Sequence, residues 1–169
     1  ALLTHVIRHV PDAFAPKDRW AMDWYYPVLA GVLRDEAGLD RMAERADDFL
    51  FEDKGVRCVS DRPWVTTAET CECAMAYLTV GERGRALDLF TAIQDYRRPD
   101  GSYYTGIAYP EEVSFPDEER STYSAAAVIL AADALSGASQ ASDLFIDHDA
   151  LPDLIDVDLT TGVDQPSLD

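Results

Sequence analysis

The sequence predicts an all-α protein in which about three helical hairpins form part of an α/α toroid, followed by an acidic C-terminal tail. Two observations predict it. Apolar and amphipathic helical segments take turns along the chain, and a short helical motif recurs after a hairpin-sized interval. Composition allows it, since 47% of the 169 residues are hydrophobic, enough to fill a sizeable core.

The chain opens with Leu2, Leu3, Val6 and Val10 on one helical face, stopped by Pro11, as though it begins inside a fold. Trp20 to Arg34 is apolar on most sides (Trp24, Tyr25, Val28, Leu29, Leu33) and reads as an inner helix kinked at Pro27. Leu39, Met42, Ala43, Ala46, Phe49 and Leu50 then recur at helical spacing among charged residues, the pattern of an outer helix with one wet face. Thr67 to Val80, capped by Thr66 or Thr67, is the second inner segment, and Gly84 to Arg97 the second outer one. Ser121 to Leu135, with the run AAAVILAADAL, is the third inner helix.

Arg45-Ala46-Asp47-Asp48-Phe49-Leu50 is echoed by Arg85-Ala86-Leu87-Asp88-Leu89-Phe90, and each copy precedes a glycine-bearing loop, at Gly55 and Gly101. This interval places residues 1–137 in a toroid segment, the C-terminal part of a ring completed by a missing N-terminal half or a second chain. Residues 138–169 turn to Ser, Asp and Pro with isolated apolar pairs (Leu144, Phe145, Ile146, Leu154, Ile155) and read as an acidic, loosely packed tail.

A net charge of −18, with twelve arginines and only two lysines, Lys17 and Lys54, leaves no basic stripe for nucleic acid. Such an acidic surface also suits a salt-adapted source. No apolar run approaches the roughly 20 residues that cross a bilayer, and the expected location is cytoplasmic. Cys58, Cys71 and Cys73 make an odd count for a disulfide framework and fit a reducing compartment. His5 with His9, and Asp147-His148-Asp149, are metal-like pairs and triplets without a complete ligand set, so no metal is assigned.

Two stretches carry a family resemblance. Gln94 followed by Asp100-Gly101-Ser102 and Tyr103 resembles the Q…DGSW repeat of squalene and terpenoid cyclases. Gly55 to Leu78, with Asp61-Arg62-Pro63 and Glu69-Thr70-Cys71, is similar to a segment of protein prenyltransferase β subunits, and Asp23-Trp24-Tyr25-Tyr26 with Gly31 to another. The resemblance implies a toroid cavity that binds or processes an isoprenoid-type or other apolar ligand. It places the family's three zinc ligands at Asp23, Tyr25 and Glu69. Only the aspartate is kept and the thiolate is lost, so zinc is doubtful and the cofactor is left unknown.

In such a ring the starts of the inner helices converge on one mouth. The candidate catalytic groups there are Asp23, Glu69 and Asp61, and the candidate substrate-binding groups are Trp24, Tyr25, Trp64 and Glu72. Carboxylates flanked by Trp and Tyr also suit a sugar site, where rings stack on the pyranose and one acid protonates the leaving oxygen. Three readings therefore stand: an apolar small molecule in a prenyltransferase-like cavity, a glycan in a carbohydrate-active α/α-toroid enzyme using paired carboxylates, and a helical scaffold without catalysis.

Overall fold

A computed structural model describes residues 2–10, 13–15 and 17–147. Its helices are α1 (Leu2–His9), α2 (Ala21–Leu29), α3 (Asp35–Glu44), α4 (Ala46–Phe49), α5 (Thr67–Thr79), α6 (Arg83–Ala92), α7 (Thr122–Ser136) and α8 (Asp143–Ile146). Two small antiparallel sheets lie between them. One pairs β1 (Leu50–Phe51) with β2 (Gly55–Val56); the other has the order β3 (Trp64–Thr66), β4 (Gly106–Ala108), β5 (Val113–Phe115).

The sheets overturn the all-α toroid expectation. Strands of two or three residues are too short to show a period of two, so the segments before Thr67 and after Thr105 read as loops. Their composition, with Val56, Trp64, Val65, Ile107, Val113 and Phe115, nevertheless favours a pleated surface. In the larger sheet Trp64 lies opposite Ala108 and Thr66 opposite Gly106. A Cβ on Gly106 would stand 2.7 Å from the Val65 carbonyl oxygen, so only glycine lets β3 and β4 approach this closely.

The centre of the fold is α5, against which α2, α6 and α7 all pack. Nine of its residues are buried, among them Thr70, Cys71, Cys73, Met75 and Tyr77. A helix covered on several sides must be apolar nearly all round. One face enters a core with Trp24, Tyr25, Val28, Met42 and Phe49, and the other enters a core with Val65, Ile93, Tyr96, Ile107 and Val128.

Pro27 sits inside α2. Without an N–H it leaves the Asp23 carbonyl, four residues back, without its helical donor. Arg41 of α3 supplies one: its Nη2 donates to Asp23 O at 2.8 Å and its Nε to Trp24 O at 3.0 Å. The Trp24 indole returns a bond to the Arg41 carbonyl at 2.8 Å, so α2 and α3 are locked together. Helix α7 begins at Ser121, whose hydroxyl accepts from Ser124 N at 3.1 Å, and ends at Gly137 with φ 62°.

The outer segments are shorter than their patterns suggest. The Leu39 to Leu50 pattern breaks at Arg45 between α3 and α4, and the Gly84 to Arg97 pattern ends in a 3₁₀ turn, Ile93–Tyr96. In the segment expected as a tail, α8 packs on α5 and brings Phe145 and Ile146 against the second core. Pro11, His148, Asp149, Leu154 and Ile155 lie outside the described residues. Among the described residues, no helix is long and apolar enough to cross a membrane.

Candidate cleft beside the start of α5

Strand β3 runs directly into α5, with Thr66 in extended conformation at the N-cap. This junction carries Trp64, Thr66 and Glu69 to the floor and wall of a hollow of about 330 Å³. Arg19, Trp20, Cys58, Phe115, Tyr123 and Ser124 complete its lining. The Trp64 and Phe115 rings stack face to face in its lining, with centroids 4.5 Å apart.

The Glu69 carboxyl is half-buried, and its pKa is raised above the usual carboxylate range. Burial is the main cause; the nearby Thr66 hydroxyl and the backbone N–H of Glu69 oppose it, and the negative charge of Glu72 adds to it. Thr66 is only 5% exposed and lines the hollow beside Glu69. Cys58 is also driven up, to about 11, first by burial and then by the charge of Glu69. It therefore stays a thiol at neutral pH.

One turn along α5, Glu72 receives two phenols. Tyr25 of α2 donates to Oε2 at 2.6 Å and Tyr123 of α7 donates to Oε1. Burial and the bond to Glu72 hold both phenols well above their ordinary value. Tyr26 adjoins Tyr123 and Glu72, and burial raises it too. Glu72 thus joins three helices one turn from Glu69.

A second hollow of about 640 Å³, lined by Lys17, Trp20, Met22, Asp23, Tyr26 and Pro27, shares Trp20 with the first. The structure therefore sorts the expected residues into groups. Glu69 and Trp64 meet in the first hollow, Asp23 lines the second, and Tyr25 and Glu72 bond to each other behind them. Trp24 is fully buried, its ring stacked on Phe49 at 5.5 Å, and lines neither hollow. Asp61 is half exposed and pairs with Arg19 at 3.0 Å. Sequence reasoning passed over Trp20, Thr66, Phe115 and Tyr123. The Thr66-x-x-Glu69 spacing of a capping box was the one local signal, and here the Thr66 side chain makes no cap bond. Among the described residues no group of three or more His, Cys, Asp or Glu could hold a metal ion.

The hollow thus combines aromatic rings, a half-buried carboxyl with a raised pKa and a buried hydroxyl. No protein-family model matches the chain. Among curated proteins it is similar to the MMP endo-(1,4)-3-O-methyl-alpha-D-mannosidase of Mycolicibacterium hassiacum, 49% identical over 143 residues. The match takes in 85% of this chain and 40% of that protein, so the chain spans well under half the length of the curated relative it matches.

This relative corrects the prenyltransferase and terpenoid-cyclase resemblance, and with it the isoprenoid-type ligand. The motifs behind that resemblance do local work that many hairpins need. Tyr103 donates to Gln94 at 2.9 Å, Gln94 donates to Phe90 O at 2.9 Å, and Asp100 accepts from Ser102 in a tight turn. Short turn motifs of this kind arise independently of the chemistry beside them.

Proposed function

We propose that this chain forms part of the substrate site of a carbohydrate-active enzyme, one that hydrolyses the α-(1→4) bond between 3-O-methylmannose units named in its relative. Glu69 carries the reading: a carboxyl whose pKa is raised by burial, sharing one hollow with the stacked Trp64 and Phe115 rings.

In this reading the outer face of one ring of the Trp64–Phe115 stack receives the apolar face of a sugar ring, and a methoxy group suits that surface. Glu69 in its acid form, which burial favours, gives its proton to the glycosidic oxygen as the C1–O bond breaks. Water attacks C1, and its proton passes to a second carboxylate, for which Asp23 in the adjoining hollow is the candidate. Glu72 has both oxygens engaged by phenols, which suits holding the site in shape better than touching the substrate.

The test is release of reducing ends from α-(1→4)-linked 3-O-methylmannose oligosaccharides. The wild-type protein is expected to cleave them, and Glu69→Gln to turn over about 10²–10⁴-fold more slowly while still binding. Full activity in the Glu69→Gln protein would remove Glu69 as the acid. Absence of both cleavage and binding in the wild-type protein would overturn the glycan reading.

A further inference from the structure

We propose that Trp20 is the shared wall of two adjoining sugar subsites, so that a glycan lies across the site as a chain and is not held by one terminal ring. This rests on the glycan reading above and extends it. Trp20 lines both hollows, and on their far side Tyr26 of one adjoins Tyr123 of the other. The two hollows therefore meet along a ridge made of aromatic rings.

Trp20 is 44% exposed, a large apolar surface for a protein to leave in water. Its position is nevertheless fixed. The backbone around it forms an antiparallel bridge to Val59, with Ala21 N donating to Cys58 O at 3.1 Å and Ser60 N to Arg19 O at 2.9 Å. The Arg19 guanidinium lies 5.1 Å from the ring centre and is held in turn by Asp61. A rigid indole with a free face needs little further ordering to stack on a sugar ring. The arrangement also gives Asp61 a role as a positioning residue, acting through Arg19 on Trp20.

The carboxyls of the proposed reaction fall on opposite sides of this ridge, Asp23 in one hollow and Glu69 in the other. A glycosidic bond joining rings held in the two hollows would pass beside Trp20 with one carboxyl from each hollow.

A length series of the same oligosaccharides tests this, with wild type, Trp20→Ala, Trp20→Phe and Asp61→Asn compared for kcat/KM and for affinity by calorimetry. Wild type is expected to gain kcat/KM with length until both hollows are filled. Trp20→Ala should reduce the ratio of long-substrate to short-substrate kcat/KM by about tenfold, roughly 1.4 kcal/mol. Trp20→Phe should recover part of that ratio, and Asp61→Asn should lose part of it through KM. Equal losses at every length, or an unchanged ratio in folded Trp20→Ala protein, would overturn the subsite proposal while leaving the glycan reading in place. Failure of the wild-type protein to bind any length would overturn both.

Discussion

Tyr25 on α2 donates its phenol proton to Glu72 on α5 across 2.6 Å, between a fully buried ring and the helix at the centre of the fold. Tyr123 of α7 engages the other carboxylate oxygen, so one side chain ties three helices beside the cleft. Tyr25→Phe removes the buried bond and is expected to cost about 1–3 kcal/mol in urea unfolding. Tyr123 is 53% exposed, and Tyr123→Phe is expected to cost less, under about 1 kcal/mol. The reverse order would show that Glu72 is anchored from α7 and not from α2.

Glu69 makes stability depend on pH in a stated direction. Its folded pKa is raised, chiefly by burial. Its contribution is therefore fully present below the ordinary carboxyl range and is lost as pH rises through the raised value. Glu69→Gln removes that loss, so the variant is expected to unfold at higher urea than wild type at pH 7 and to show no such advantage near pH 3. If the glycan reading holds, the alkaline fall of kcat reports the same group. Equal midpoints at both pH values would contradict a Glu69 carboxyl whose pKa is raised by burial.

Trp24 and Trp64 separate packing from binding. Trp24 is fully enclosed by Tyr25, Phe49 and Tyr77, and Trp24→Ala is expected to cost about 3–5 kcal/mol. Trp64 is only half-buried on a sheet edge facing the hollow, so Trp64→Ala is expected to cost less stability and to weaken ligand binding. Chemical unfolding together with calorimetric titration distinguishes the two.

Gly106→Ala tests the junction that aims α5. The added methyl would meet the Val65 carbonyl at 2.7 Å, forcing β3 and β4 apart. A loss of about 1–3 kcal/mol is expected. Because β3 carries Trp64 and Thr66, weaker ligand binding should accompany it.

The helix at the heart of the fold, α5, was legible because burial on several sides leaves a long apolar signature; α7 carries the same signature but leaves Ala125, Ala126 and Ile129 exposed, so it is not the enclosed inner helix expected. The strands were not legible, because two or three residues carry no period, and with them the all-α toroid reading failed. At the site, Glu69 and Trp64 could be singled out as an acid and an aromatic near a helix start, and they share one hollow. Trp24 looked equivalent in sequence and lies in the core, since neighbouring positions on a helix face different ways. Trp20, Phe115 and Tyr123 come from three separate segments, brought together by the Trp20–Val59 bridge, the β3–β4–β5 sheet and the packing of α7 on α5. The prenyltransferase resemblance misled because turn motifs such as Asp100-Gly101-Ser102 report local geometry alone.

The protein's three tryptophans allow the cleft itself to be observed. The indole N–H resonances of the Glu69→Gln protein, titrated with an α-(1→4)-linked 3-O-methylmannose oligosaccharide, test the central claim most directly. The Trp20 and Trp64 signals are expected to shift together with one affinity while buried Trp24 stays in place. A titration that leaves Trp20 and Trp64 unmoved, or shifts only Trp24, would contradict a glycan site at the start of α5.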